Sequence, residues 1–341
     1  MEKRSSQRRP AALLSAMLAV LVIGCGSGSD TSETPAADRF ETTRAHIHSW
    51  LSKVDTDGPI MPVDELKETI VDDWDHQEER YQIVSVRRPE DYGQAGHIPN
   101  AINMYWVSTV TDENLALLDS TRTLILYCYY GHGSMISATI LGLLGYECYS
   151  LDLGMMNWNL AALVKEPWDR QADYPVEIAE RETMESYPAP VLISHRTGAR
   201  GIILEMARAY FSGEGSPVIR SGDVKAIVED WDRKGTEYQL VDVRSAEEYR
   251  KGHVPHSIHI PWKDIARMEI LEKLDPGRTI IVCSDNGQTG QLAATALNLM
   301  GYRTVNMLFG MMDWNRAHVA RHRQWKGPAG YAVVREGSSL P

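Results

Sequence analysis

A thiol that ends an apolar run and is followed at once by glycines is the stretch of this 341-residue chain best suited to chemistry. Leu124-Ile125-Leu126-Tyr127 reads as a buried strand, and Cys128 closes it. Tyr129-Tyr130-Gly131-His132-Gly133 is a short loop, and Ser134 opens a helix that runs to Leu144 and stops at Gly145. A loop of this kind turns several backbone N–H groups inward, and the helix start adds partial positive charge, so the segment builds a cradle for an anion. A cysteine at its rim is placed to react as a nucleophilic thiolate. Taken without the loop, a cysteine after a strand is an inert core residue; the attached cradle shifts the balance toward a nucleophile. His132 is the loop's one potentially cationic side chain, either holding an anion or standing outward in solvent. Tyr129 and Tyr130 are placed to shape an apolar rim.

The elements that must position this thiol alternate in type. Ile83 to Val86 is a strand, Pro89 to Tyr92 opens a helical turn, and Cys148 to Leu151 is a further strand after the helix. Such alternation predicts an α/β fold, a mainly parallel sheet with helices on both faces. In such sheets the working site lies at the C-terminal strand ends, where Cys128 stands. Cys148 begins its strand, so the two thiols point to opposite sheet ends, too far apart to bridge, and Cys148 reads as core.

The whole pattern occurs twice. Val71-Asp72-Asp73-Trp74-Asp75 returns as Val228-Glu229-Asp230-Trp231-Asp232, Gly96-His97-Ile98-Pro99 as Gly252-His253-Val254-Pro255, and Gly154-Met155-Met156-Asn157-Trp158 as Gly310-Met311-Met312-Asp313-Trp314. The copies are not equivalent at the loop. Arg122 to Gly131 and Arg278 to Gly287 are the same distance apart, so Ser284 falls opposite Cys128 and Cys283 falls opposite Tyr127, inside a strand. The second site, Cys283, Ser284 and Gly287, therefore reads as degenerate; a shifted loop that brings Cys283 to the cradle is the other possibility.

The segment C-Y-Y-G-H-G-S, Cys128 to Ser134, resembles the active-site loop of the rhodanese (sulfurtransferase) superfamily, C-R-x-G-x-R-S. The cysteine, first glycine and closing serine match; Tyr129 and Gly133 replace the arginines. The family's D-x-R-x-x-x-E-[YF] motif stands as Asp242-Val243-Arg244 with Glu248-Tyr249, and in the first copy as Ser85-Val86-Arg87 with Asp91-Tyr92. The G-H-I-P-x-A turn spans Gly96 to Ala101, and Trp158 and Trp314 are the closing aromatics. The resemblance implies two tandem rhodanese-like domains, the first active and the second inactive, although tandem members most often carry the active domain second. It implies sulfur transfer: Cys128 takes the outer sulfur of a small donor as a persulfide and passes it to a thiol or other nucleophile, with no cofactor. Tyr129, Tyr130, Gly131, His132, Gly133 and Ser134 would bind the substrate, and Arg87, His97, Asp242 and Arg244 would hold loops together. Without the arginines, polysulfide or an organic persulfide is expected ahead of thiosulfate. Two other readings stand beside it: a non-catalytic, membrane-tethered sulfur carrier or interaction module, and a cysteine phosphatase or arsenate reductase of the same superfamily. The cradles of the latter carry one more residue and an arginine.

Length and composition frame these domains. With 43% hydrophobic residues the chain can bury two cores, and a formal charge of −11 excludes nucleic acid as a partner. Lys3, Arg4, Arg8 and Arg9 precede an apolar run, Ala11 to Gly24, too short to span a bilayer comfortably. Val22-Ile23-Gly24-Cys25 resembles a bacterial lipobox, which implies cleavage before Cys25, lipid on Cys25, and an exported protein anchored to a bacterial membrane, facing the periplasm or cell exterior; an ordinary secretory signal is the alternative. The expected layout is a signal peptide over 1–24, a flexible tether over 25–42, domain one over 43–165, a linker over 166–196, domain two over 197–320 and a tail over 321–341. With Cys25 lipidated, the odd number of remaining cysteines leaves at least one free thiol. His253, His256 and His259 are evenly spaced, but period three does not converge on one strand face, so no metal site is expected. The sequence leaves the oligomeric state open.

Overall fold

The computed structural model describes residues 36–168 and 172–335. The expected signal peptide and Cys25 lie outside the described residues. Two five-stranded sheets, parallel throughout, carry the fold. The first is built from β1 (Ile60–Met61), β2 (Tyr81–Ser85), β3 (Ile102–Asn103), β4 (Thr123–Tyr127) and β5 (Cys148–Leu151), in the order β1-β5-β4-β2-β3. The second repeats it with β6 (Val218–Ile219), β7 (Tyr238–Asp242), β8 (Ile258–His259), β9 (Thr279–Cys283) and β10 (Thr304–Met307), in the order β6-β10-β9-β7-β8. Central strands of parallel sheets are covered on both faces, which is why Leu124, Ile125 and Leu126 form an unbroken, fully buried apolar run. Register repeats too: Ser85 pairs with Tyr127 in β2–β4, and Asp242 pairs with Cys283 in β7–β9. Leu124 pairs with Cys148, four residues before Cys128, so the two thiols stand toward opposite sheet ends.

Between the sheets, helix His132–Leu144 and its counterpart Gln288–Leu299 share one apolar core with helices Ala36–Leu51 and Ala199–Ser212. Met135, Ile136 and Ile140 of the first domain and Leu292, Ala293 and Ala296 of the second belong to it. Two boundaries differ from expectation. The first helix begins at Ala36, so the end of the expected 25–42 tether is helical. The helix after Cys128 starts at His132 rather than Ser134, because Gly131 takes the turn with φ +86° and frees the next residue for helical geometry. No helix among the described residues is long and apolar enough to cross a membrane.

The segments expected as linker and tail are a third repeated part, and each crosses to the other domain. After the first domain, Tyr174 N–H bonds Trp314 O, Trp314 Nε1 donates to Pro175 O, and Glu177 pairs with His253. After the second, Tyr331 N–H bonds Trp158 O, Trp158 Nε1 donates to Ala332 O, and Val334 pairs with His97. Trp168 and Trp325, equivalent by position, meet edge to face at 6.2 Å between ring centroids. Tyr331 and Val333 are half-buried against the first domain. Ending the chain after Pro328 is therefore expected to cost about 2 kcal/mol from those two side chains. The urea midpoint should fall with little change in slope; an unchanged midpoint would show that the strap contributes nothing.

Candidate active site

Cys128 follows directly on β4 and is 5% exposed. It sits deeper than a rim position, because Gly133 brings helix backbone close: a Cβ there would stand 3.7 Å from Sγ and 3.5 Å from the Trp106 ring. The thiol joins a small apolar cluster that includes Val84, Val86, Met104 and Ala138. Its polar neighbour is Ser134 Oγ, 3.6 Å from Sγ, which also bonds Ser150 Oγ at 2.8 Å. Ser150 Oγ donates in turn to Gly131 O at 3.3 Å. The loop backbone is held by the turn after β5: Met155 N–H donates to Cys128 O and Met156 N–H to Tyr129 O, each at 3.0 Å. Residues 132 to 134 form the first turn of a 13-residue helix, so its dipole points its positive end at the loop.

The second copy shows what such a cradle gathers. Ser284 Oγ accepts from Gly287 N–H at 3.1 Å and Gly290 N–H at 3.0 Å. The hydroxyl at the position of Cys128 has thus taken the loop's donors for itself, and Asn306, which donates to Gly287 O at 3.0 Å, crowds the space beside Gly290. Cys283 is 1% exposed within β9, and burial pushes its thiol pKa well above the ordinary value. Burial does the same to Cys148. Neither thiol is set up to ionise near neutrality.

The structure moves two loop residues away from their expected tasks. His132 is 6% exposed, neither solvated nor turned to an anion. Its Nδ1 lies 3.2 Å from Tyr130 O, its Nε2 accepts from Phe309 N–H of the second domain at 3.4 Å, and its ring stands edge-on to Phe309 at 5.6 Å. Desolvation lowers its pKa to about 4, so the ring is neutral at pH 7 and brings no charge to the cradle. The tyrosines form walls rather than a purely apolar rim. Tyr130 packs edge-on against Phe309 at 5.1 Å and donates to Glu166 O at 2.6 Å. Tyr129 bonds Asp91 through its hydroxyl, and Lys165 Nζ lies 5.2 Å from its ring centre.

The supporting residues are buried within each domain. Arg244 forms an ion pair with Asp242 at 2.7 Å and donates to His318 O and Gly252 O. Arg87 lacks that carboxylate: it donates to Ala162 O at 2.9 Å, Gly96 O at 2.5 Å and Ser85 Oγ at 3.4 Å, and lies over the Tyr127 ring. His97 stacks on Tyr92 at 3.9 Å. His253 and His259 stack on Tyr249, at 3.7 Å and 4.9 Å, while His256 stacks on Trp231 at 4.6 Å. One side chain that the loop sequence alone does not reveal, Gln288, reaches the first cradle from the second domain, where it takes the place His132 has in the first.

A family model described as Rhodanese-like domain matches residues 63–161 and 223–317. The chain is 35% identical over 78 residues to the putative sulfurtransferase YtwF of Bacillus subtilis (strain 168), a match covering 23% of this chain and 74% of that protein. It is 32% identical over 76 residues to the putative sulfur carrier protein YrkF of the same organism, covering 22% of this chain but only 40% of that protein. Among solved structures, a thiosulfate sulfurtransferase from Pseudomonas aeruginosa aligns over 84% of this chain and 49% of its own, at 18% identity and a TM-score of 0.29.

Proposed function

Because this chain belongs to the rhodanese-like family and carries that family's domain twice, we propose that it moves sulfane sulfur from a small donor to a thiol through a persulfide on Cys128. The observation that carries this reading is the contrast between the two cradles. In the second, a serine hydroxyl consumes the converging N–H groups; in the first, the same position holds a thiol beside the helix start. In the first half-reaction the Cys128 thiolate attacks the donor's terminal sulfur. A Cys128–sulfur bond forms, the donor's S–S bond breaks, and its electron pair leaves on the departing thiolate or shortened polysulfide. In the second, an acceptor thiolate attacks the outer persulfide sulfur and the Cys128 thiolate is released. No net oxidation occurs across the pair. The main-chain dipoles of the loop stabilise the anionic persulfide, as they would an oxyanion.

The charges around the loop support polysulfide or an organic persulfide over thiosulfate. The loop has no arginine, His132 is neutral, Arg87 is occupied with main-chain oxygens, and the cation against the loop's Tyr129 ring is a lysine, Lys165, which lacks a bidentate fork. Thiosulfate carries its charge on a compact, strongly hydrated sulfonate head that finds no loop guanidinium to replace that hydration, whereas a polysulfide spreads its charge along a chain of sulfurs. The low exposure of Cys128 also supports a slim donor that presents sulfur at the end of a chain, and it favours one second reading, a carrier that loads sulfur and releases it only to a specific partner.

Mass analysis of the intact chain after polysulfide or thiosulfate treatment tests both. The expected result is one added sulfur on Cys128 from polysulfide, less from thiosulfate, none in Cys128→Ser, and an unchanged adduct in Cys283→Ser. Loading with no turnover to small thiols would select the carrier; equal loading of wild type and Cys128→Ser would sink the proposal. We further propose that the chain is exported and tethered through lipid on Cys25, which metabolic labelling with a palmitate analogue tests against Cys25→Ala.

A further inference from the structure

The second domain has a serine where the first has Cys128, but it sends one side chain to the first domain's loop. Gln288, the first residue of helix Gln288–Leu299, is fully buried. Both ends of its amide are spent on the first domain's main chain. Oε1 accepts from Leu153 N–H at 3.1 Å, and Nε2 donates to Leu151 O at 3.2 Å. The same amide packs against Gly131, where a Cβ would stand only 2.5 Å from Nε2.

Both segments it touches hold the thiol's backbone. Leu153 has φ +49°, a left-handed conformation that a side-chain-bearing residue adopts at a cost of about 1 kcal/mol or more. Gly154 follows at φ +53°, and this double left-handed turn delivers Met155 N–H to Cys128 O. Gly131 closes the other end of the loop. Gln288 fastens the strained turn to the loop at one point, from outside the domain that bears the thiol. The arrangement is reciprocal: Phe309, the counterpart of Leu153, also has φ +59° and donates its N–H to His132.

We propose that Gln288 is a positioning residue for Cys128, so that the second domain supplies a brace for the first domain's thiol. The proposal rests on the sulfur-transfer reading only for its biological purpose; the geometry concerns where the thiol is held. It predicts that the amide's hydrogen bonds, and not only its bulk, set the reactivity of Cys128.

The test uses the full chain and three variants: Gln288→Leu, similar in size without polar atoms; Gln288→Met, its unbranched analogue; and Gln288→His, whose imidazole can accept from Leu153 N–H as His132 does from Phe309. Three quantities are read: the rate of Cys128 alkylation by iodoacetamide, located by peptide mass; sulfur uptake from inorganic polysulfide; and the urea midpoint. The expected result is a loss of about 10- to 100-fold in both rates for the Leu and Met variants while they remain folded, with recovery to within a few-fold of wild type in Gln288→His. Wild-type rates in a folded Leu or Met variant would overturn the proposal, as would a folded His variant no better than they are. If neither apolar variant folds, Gln288 is a structural pin and the proposal fails. If the unaltered chain takes up no sulfur, the alkylation arm still decides the role of Gln288, so the two failures are separable.

Discussion

Gly154→Ala is expected to lower stability by about 3 kcal/mol and to slow sulfur uptake by Cys128 about 100-fold. Two causes add. At φ +53° an alanine pays about 1 kcal/mol or more for the left-handed conformation. Its Cβ would also lie 2.5 Å from Cys128 O and 3.2 Å from Gly131 N. Both neighbours are backbone, so relief requires the loop itself to move, and the hydrogen bond from Met155 N–H to Cys128 O breaks first. Gly310→Ala is the internal control. Its φ is +52°, and its Cβ would stand 2.1 Å from Ser284 O in the second cradle. It should destabilise the chain at least as much and, because its Cβ would also lie 3.1 Å from Gly287 N beside Gln288, slow uptake only through that brace, by about 10-fold rather than 100-fold. Denaturant midpoints and uptake rates for the two variants separate stability from chemistry. Equal loss of uptake in both would mean that the turn does not aim Cys128.

That contrast is partly readable in the amino-acid order. Unbroken apolar runs at Leu124–Leu126 and Ile280–Val282, each followed by a glycine-bearing loop, leave little choice but central parallel strands with helices after them. Equal spacing from Arg122 to Gly131 and from Arg278 to Gly287 puts Ser284 opposite Cys128, and the registers of Ser85 with Tyr127 and Asp242 with Cys283 follow the same count. The crossed straps are harder to see. Trp168 and Trp325, Tyr174 and Tyr331, and Val176 and Val333 each lie 157 positions apart, but unrelated residues separate them, and an extended segment shows no periodicity of its own. The roles of His132 and Gln288 are not legible, because local sequence says nothing of a partner more than 130 positions away. Pairing the copies residue by residue is the one available signal: two polar side chains at the same helix start, each after a glycine of positive φ.

The same pairing yields a prediction about acid. In the unfolded chain His132 titrates near 6.5, and in the folded chain near 4, because burial opposes its charge. Between those values the unfolded state binds the extra proton, so His132 is no burden above pH 6.5 and its contribution is lost progressively as pH falls toward 4. The shift corresponds to about 3 kcal/mol. Asp152 and Asp285 act in the opposite sense: burial raises each to about 6, with Arg323 partly offsetting it, so the folded state takes up their protons first and gains stability below pH 6. The wild-type profile mixes these effects, but a variant that alters only residue 132 separates them. His132→Gln installs the side chain that the second domain already uses at this position, where Gln288 Oε1 accepts the N–H of the left-handed Leu153 just as His132 Nε2 accepts that of Phe309. The variant should match wild type within about 1 kcal/mol at pH 7.5 and exceed it by about 3 kcal/mol at pH 4. Urea melts at the two pH values read the difference directly. A constant gap across the range would mean that the imidazole titrates normally, and hence that the two domains do not close over it.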